Sequence, residues 1–529
     1  MRCCEVLQSL CKQADSGSLD LRCSSLRELR KASVAFVRMA CPDALRVSEE
    51  LQHRQMRKRE ARAAKKRRRE EDQRLKETCQ LRAGRRRQLM LAAAPSTPSA
   101  KRPRVLDGPV TDAMLTEEMQ QQSREPRCFQ VPQRCYSCKS MYTAVHVFYS
   151  DLCPFCATLN FSKRNLYADM TGRVCLVTGA RVKIGYHVSL KLLRMGARVI
   201  ATTRFPANAL NHFRQEPDNH EWMCRLKVIG LDFRFVEAVQ QFCSWILDKE
   251  PHLDVVINNA AQTIRRPAAY YKHLLDAERC QHSSVPSIED AGLESASACA
   301  LVGTTVKSHP LTSSEASQLL VLPEDALHAK DNFPEGEFDA QGQQLDLRSK
   351  NSWKLKLEEV SCPEMLEVLC INVVAPFLIN SRLVPLLRRS PYADRYIVNV
   401  SAMEGKFNRA KTSCHPHTNM AKAALNMMTR TSASDLAKTG IFVTSVDTGW
   451  INDEMPYAAA VQRANCGFQP PLDEVDAAAR VLDPVLSGVL FTSAGKDLPK
   501  THHHQEQQGD PDAGPMWGVF LKDYLSTDW

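Results

Sequence analysis

No apolar stretch in this 529-residue chain approaches the roughly 18 uninterrupted residues of a bilayer-spanning helix. Its first residues, Met1-Arg2-Cys3-Cys4-Glu5, run into charge before an apolar core of secretory type can form. Neither membrane insertion nor secretion is expected, which leaves the nucleus or the cytoplasm. Aromatic residues are missing between Arg54 and Arg104, so this segment offers no platform for stacking single-stranded bases. Acidic charge is scarce in the same region. Between Leu51 and Arg104, 19 Lys/Arg stand against five Asp/Glu, which exceeds the whole-chain formal charge of +10. The remainder of the chain is slightly acidic, and the basic character belongs to a segment. Cysteine is plentiful at 20 residues, but these are scattered through a long chain, and reduced thiols are the expected state.

At this length several independent pieces are expected. Residues 1–50, which include LRCSSLRELRKASVAFVRMA, place apolar groups at helical spacing and read as a helical segment. Residues 51–127 read as a basic, largely disordered linker, because like charges repel and the APSTPSA tract resists packing. Its clusters KKRRR (Lys65 to Arg69) and KRPR (Lys101 to Arg104) fit three readings. They suit an import receptor that carries cargo to the nucleus, a nucleic-acid contact, or a solvated charged helix.

At Cys128 the composition changes. Residues 128–165 hold Cys135, Cys138, Cys153 and Cys156, two CxxC pairs separated by fourteen residues. Each pair presents two thiolates on one tight turn, and an intervening hairpin would bring the turns together around a tetrahedral structural zinc. Four buried reduced cysteines without metal are the alternative. His146 lies between the pairs, and four cysteines make it unnecessary as a ligand.

Residues 166–529 alternate strand and helix patterns. RVCLVT, RVIATT, LKVIGL, DVVIN, RYIVNVS and IFVTSV read as buried strands with amphipathic helices between them. Repeated βα units of this kind predict a parallel sheet covered on both faces. The expected fold class is therefore α/β, a Rossmann-type doubly wound sheet preceded by a zinc ribbon and a basic N-terminal region.

Several motifs fall in order along this part. TGARVKIG (Thr178 to Gly185) stands between a strand and a helix, and ATTR ends the second strand. INNAAQT, CINVVAPF, NVSA and HPHTNMAK follow. Together they resemble the short-chain dehydrogenase/reductase family, over roughly Gly172 to Val446 and a tail.

The resemblance implies a nicotinamide dinucleotide on Thr178, Gly179, Arg181, Lys183, Ile184 and Gly185, with pyrophosphate at the helix N-terminus. Lys183 stands where the family has its middle glycine, and its backbone is expected to avoid positive φ. Thr203 and Arg204 stand where NAD-preferring members carry an acid, so a 2′-phosphate and hence NADP(H) is implied. Asp232 resembles the adenine-contacting aspartate, and Asn258, Asn259 and Ala260 resemble the motif lining the cofactor. Gly449 resembles the glycine beside the nicotinamide. Asn372 matches the asparagine that organises the proton-relay water, and Lys422 matches the lysine that holds the nicotinamide ribose. Departures gather at the chemistry. Ala402 takes the position of the substrate serine, with Ser401 its neighbour, and Thr418 takes the position of the catalytic tyrosine. A threonine hydroxyl is a far weaker acid than a phenol. His417 and His415, just upstream, are candidate substitutes.

Asn258 and Asn372 lie 114 positions apart, where the resemblance implies a few tens. The excess, about 267–350, is Ser/Ala/Glu-rich, with patterned edges at RRPAAYYKHLL and DLRSKNSWKLKLEEV. It leaves the carboxyl end of a strand and either covers the active-site mouth or makes a surface excursion. Two functions fit. One is an NADP(H)-dependent oxidoreductase of a small carbonyl/alcohol substrate with an altered proton donor, and a homo-oligomer is compatible with it. The other is a non-catalytic dinucleotide-binding sensor or interaction protein carrying a zinc ribbon and a basic arm.

Overall fold

The computed structural model describes residues 42–93, 127–281, 288–290, 312–322, 325, 331–339, 343–496 and 514–529. Contacts divide the chain into two units, residues 1–74 and 75–529. The helical segment expected over residues 1–50 lies outside the described residues up to position 41, as does the KRPR cluster.

The linker expected to be largely disordered is helical over 51–93. Helix α1 (Pro42–Glu77) and helix α2 (Gln80–Ala93) account for it. Arg, Lys, Ala, Glu and Gln are strong helix formers, and pairs such as Lys66–Glu70, 3.8 Å apart, partly offset the like-charge repulsion. The chain from Leu75 onward also finds tertiary partners. Gln80 N–H donates to Val147 O at 3.0 Å, and the buried Arg82 guanidinium bonds Ser150 Oγ and Asp151 Oδ2 at 2.8 and 3.0 Å.

The cysteine module is built differently from the expected pair of knuckles around a hairpin. Strands β1 (Cys128–Arg134) and β2 (Met141–Ala144) pair antiparallel, and their connecting turn carries Cys135 and Cys138. The second pair sits at the start of helix α3 (Pro154–Arg164), with Cys153 as N-cap and Cys156 in the first turn.

The large sheet follows the apolar runs. Strands β3 (Val174–Thr178), β4 (Arg198–Thr203), β5 (Leu226–Gly230) and β6 (Val255–Asn258) are fully or almost fully buried. Helices α4 (Lys183–Arg194), α5 (Pro206–Arg214) and α6 (Val236–Lys249) connect them. Inside the insertion, helix α7 (Lys272–Gln281) precedes a short strand, β7 (Ile288–Asp290). Helix α8 (Cys362–Leu369), a π-helical turn (Cys370–Val374) and helix α9 (Ala375–Arg388) lead to β8 (Arg395–Ser401). Helix α10 (Pro416–Ala437) then precedes β9 (Ile441–Asp447). Helices α11 (Tyr457–Asn465) and α12 (Glu474–Ser493) and the hairpin β10 (Phe520–Lys522)/β11 (Leu525–Thr527) complete the chain.

The order is β11-β10-β9-β8-β6-β3-β4-β5-β7, parallel throughout except for β10 with β11. Strand order reverses between β3 and β6, and a crevice at such a switch point is where doubly wound sheets bind ligands. The C-terminal aromatics dock on the sheet, Phe520 being fully buried beside β9. Among the described residues, Cys362–Arg388 is the one helical run long and apolar enough to cross a membrane. Ile379, Leu383, Leu386 and Leu387 are fully buried in the sheet core, which accounts for that composition.

Candidate functional site

The turn after β3 and the loop after β6 close on each other at the switch point. Gly179 takes φ +69°, and a Cβ there would lie 2.8 Å from Ala260 Cα. A Cβ on Gly185 would meet Gly179 O at 2.3 Å and Asn259 Nδ2 at 2.4 Å. Both glycines are thus required by close approach. Thr178 Oγ1 accepts from the N–H groups of Asn259 and Ala260, each at 3.0 Å, and Asn259 Nδ2 donates to Thr178 O at 3.0 Å. Asn258 faces away from this loop, donating to Asn380 Oδ1 and Asn399 Oδ1 at 2.7 and 2.8 Å and tying β6 to α9 and β8.

Lys183 corrects the expectation for its backbone. It adopts φ 54°, the left-handed region, at the first residue of α4. Its ammonium reaches sideways to Asn452, whose amide oxygen, in the orientation that satisfies both amide groups, accepts at 2.9 Å. This contact ties the glycine-rich turn to the loop after β9.

At the ends of β3 and β4 stand two guanidiniums with no carboxylate partner within ion-pair distance among the described residues. Arg181 donates to Asn208 Oδ1 (3.1 Å) and Gln343 Oε1 (2.8 Å), and Arg204 donates to the Tyr271 hydroxyl at 2.9 Å. Burial, aided by the neighbouring Arg204, pulls Arg181 down to about 10. Burial pushes the Tyr271 phenol up, but the Arg204 and Arg266 guanidiniums outweigh it, so the net shift is downward. Thr203 Oγ1 accepts from Phe205 N at 3.2 Å and so shapes the turn. Asp232 is buried and engaged by Arg234, whose Nη2 lies 2.9 Å from Oδ2 and also donates to Ala316 O.

The insertion is therefore part of this groove. Tyr271 stacks on Phe205 with centroids 5.4 Å apart, Ser313 Oγ donates to Arg204 O at 3.1 Å, and Glu278 accepts from the N–H groups of Ala207 and Asn208. The chain just beyond its other end reaches the start of α10 and the loop after β9: Trp353 stacks on His415 at 4.0 Å, and Asn351 Nδ2 donates to Glu454 O at 3.1 Å.

The opposite half of the groove holds the departures. Ser401 ends β8, Ala402 follows in extended backbone, and Thr418 lies in the first turn of α10. Ser401 Oγ and Thr418 Oγ1 are both buried without a hydrogen-bond partner among the described residues. One turn on, Lys422 Nζ donates to Val400 O at 2.8 Å, and burial pushes its pKa down to about 8. Asn372 sits in the π-helical turn and clamps Gln262, accepting from its N–H at 2.7 Å and donating to its carbonyl at 3.0 Å. His417 is buried with Nε2 3.6 Å from Glu364 Oε1. His415, with φ 46°, is committed to Trp353 by stacking and by a 3.0 Å contact of Nδ1 with the Trp353 carbonyl. Gly449 takes φ +78°, and its N–H donates to Asp447 Oδ2 at 3.2 Å.

These features coincide with what the comparisons show. Residues 173–285 match the short chain dehydrogenase family, and residues 349–473 match the family described as Enoyl-(Acyl carrier protein) reductase. The chain belongs to the short-chain dehydrogenase/reductase family. It is 33% identical over 382 residues to uncharacterized protein R665 of Acanthamoeba polyphaga mimivirus, covering 70% of this chain and 75% of that protein. Against mouse retinol dehydrogenase 14 it is 39% identical over 102 residues, which span 17% of this chain and 30% of that enzyme. A short-chain dehydrogenase of Streptomyces avermitilis aligns in structure at 18% identity with a TM-score of 0.36, over 60% of this chain and 85% of that one. The break between the two matched segments falls within the insertion.

The four cysteines form a cluster of their own. Their sulfurs lie within 4.8 Å of one another, and Cys138 Sγ is 3.6 Å from Cys153 Sγ. Tetrahedral Zn–S bonds of about 2.3 Å place sulfurs roughly 3.8 Å apart, so the donor set fits zinc. Hydrogen bonding from the Ser140 hydroxyl draws the Cys138 thiol down to about 6, whereas burial pushes the Cys135 and Cys156 thiols up. His146 stays outside the set, its Nδ1 accepting from Phe148 N at 3.1 Å. Sequence reasoning missed Tyr271, Gln343 and Glu364 as partners of predicted site residues. Only the patterned edge RRPAAYYKHLL offered a signal for the first.

Proposed function

We propose that the chain is an NADP(H)-dependent oxidoreductase acting on a small carbonyl or alcohol, with an altered proton donor. The observation that carries the reading is the pair of guanidiniums, Arg181 and Arg204, at the ends of β3 and β4, without carboxylate partners within ion-pair distance among the described residues. Two partly buried cations in that state favour a polyanion, and a ribose 2′-phosphate matches them bidentately. Thr178, Gly179, Ile184, Gly185, Asn259, Ala260 and Gly449 would line the rest of the dinucleotide, with Lys422 at the ribose. The bound cofactor supplies or accepts the hydride at the carbonyl carbon. Ser401 and Thr418, whose buried hydroxyls lack partners among the described residues, would hold the carbonyl oxygen. His417, buried beside Glu364 with Nε2 3.6 Å from Oε1 and next to Thr418 in the chain, would deliver the proton. A structural zinc on Cys135, Cys138, Cys153 and Cys156 completes the cofactors.

NADPH and NADH titrations by fluorescence test this directly. Wild type should prefer NADPH, and Arg204→Glu should reverse the preference by weakening NADPH at least ~100-fold. No binding of either dinucleotide would refute the reading. Thr418 at the position of a phenol specifically favours a second reading, a dinucleotide-binding sensor without turnover. Carbonyl reduction that appears only in Thr418→Tyr would decide for it. We further assign the exposed basic face of α1, with KKRRR, to an import receptor or nucleic acid and hence to the nucleus. Exposed Leu366, Phe377, Met420 and Met427 on α8, α9 and α10 suit a homo-oligomer contact.

A further inference from the structure

The thiolate cluster and the dinucleotide groove share a residue. Tyr136 follows Cys135 and precedes Cys138 by two positions, and its side chain leaves the cysteine module for the sheet domain. Its hydroxyl oxygen accepts from the Trp450 N–H at 2.9 Å. The same oxygen lies 3.6 Å from the point a Cβ on Gly449 would occupy. At its base the residue is fixed by the knuckle, its own N–H donating to Asp151 O at 2.8 Å and Cys135 N–H to Ser140 O at 2.9 Å. Lys139 and Lys522 flank its ring, 4.9 and 5.6 Å from the centroid.

The apolar packing runs the same way. Cys135, Cys153 and Cys156 share one buried cluster with Ile451 and Leu472, and Ile184 and Tyr136 pack against it. Ile184 belongs to the glycine-rich turn and Ile451 to the turn after β9. Two walls of the groove thus rest on the cysteine module, the glycine-rich turn through Ile184 and the turn after β9 through Ile451 and the Tyr136 phenol. In the turn after β9, Gly449 holds a positive φ, Trp450 is 39% exposed, and the Trp450 N–H donates to the Tyr136 hydroxyl. A hydrogen bond to its backbone therefore has leverage over where that turn stands.

We propose that Tyr136 is a positioning residue for the dinucleotide site: the metal-bound knuckle sets the Gly449–Trp450 turn, so metal binding and dinucleotide binding strengthen each other. The inference rests on the dinucleotide reading, which places that turn beside the nicotinamide. Coupling between two equilibria is reciprocal. If metal tightens dinucleotide binding by some factor, dinucleotide tightens metal binding by the same factor. A tyrosine that merely packed would give no such reciprocity through its hydroxyl.

The test uses the full zinc-loaded chain and Tyr136→Phe, which keeps the ring and loses only the acceptor. NADPH affinity is read by fluorescence, and zinc release is read with a chromogenic chelator, with and without saturating NADPH. The variant should retain its zinc, bind NADPH about tenfold more weakly, and lose most of the protection that NADPH gives the metal in wild type. Equal NADPH affinity and equal metal protection in the two proteins overturn the inference. Removing zinc from the wild-type chain gives an independent arm. NADPH affinity should fall about tenfold or more, and an unchanged affinity again overturns it. Failure of the zinc-loaded wild type to bind NADPH is a different result, which overturns the dinucleotide reading and this inference with it.

Discussion

Lys422 sits at the end of a buried groove, where its ammonium donates to the Val400 carbonyl, and burial outweighs the nearby Glu404 carboxylate in setting its proton affinity. Its folded value near 8 lies below the ordinary 10.5. Between those values the unfolded chain binds a proton that the folded chain does not, so this group's contribution to stability rises with pH across that window. Dinucleotide binding runs the opposite way, because a neutral amine no longer holds the ribose as a cation. NADPH affinity should therefore bend downward near pH 8 and approach a tenfold loss per pH unit above it. Lys422→Met should bind weakly with no bend, and fluorescence titrations between pH 6.5 and about 9.5 would read both. Lys422 is legible in the sequence because its place depends only on spacing within one helix. Arg204 is legible for a similar reason, as the residue that closes a strand. Tyr271 and Tyr136 are not legible as site residues. Tyr271 reaches Arg204 from 67 positions away, and Tyr136 reaches Trp450 from 314 away, so topology alone brings them together.

At the scale of elements, the strands are the most readable part. Parallel strands buried on both faces appear as unbroken apolar runs, and RVIATT and RYIVNVS match β4 and β8 residue for residue. Helix α1 is misread because charge density and helix propensity point in opposite directions, and in this chain propensity prevails. The π-helical turn at Cys370–Val374 has no sequence signature, yet it is what lets Asn372 clamp both polar groups of the Gln262 backbone. The junction of β3 with α4 shows how tightly the groove floor is built. Gly185→Ala would press a methyl into Gly179 O and the Asn259 amide, both within 2.4 Å. Neither can move freely, because Asn259 is bonded to Thr178 and Gly179 lies on the turn itself. We expect Gly185→Ala to destabilise the fold by about 1–3 kcal/mol in denaturant unfolding and to weaken NADPH as the turn shifts. Gly84→Ala, on α2 where an added Cβ meets nothing within 4 Å among the described residues, should leave NADPH binding unchanged and raise stability by at most about 1 kcal/mol, and it serves as the control.

Over the whole molecule, the cysteine module proves to be a structural part of the sheet domain, where the sequence suggested a separate bead. Arg164 on α3 pairs with Asp473 and Asp476 on α12 at 2.6 and 3.1 Å, and Tyr149 donates to Asp476 at 2.5 Å. Lys163 meets Asp483 at 2.5 Å, and Arg480 reaches across to Asn160 at 2.5 Å. These groups are largely buried, so removing one partner leaves charge without compensation. Arg164→Met should accordingly cost about 3–5 kcal/mol, since two carboxylates lose their cation at once. Metal should act through the same interface. The module's small core, Phe129, Tyr142, Tyr149 and Leu152, also holds Cys135, Cys153 and Cys156, and it shares its apolar cluster with Leu472 and Ala477 of the sheet domain. Loss of metal frees both knuckles, and the buried pairs on α12 then lose the surface that shields them. Metal analysis should return about one zinc per chain. Chelation should lower the unfolding temperature of the sheet domain itself by on the order of 5 °C or more. Hydrogen exchange can locate the change. Amides of α12 and of the turn after β9 should lose protection together with those of β1 and β2, while a free-standing module would lose its own protection and leave α12 untouched.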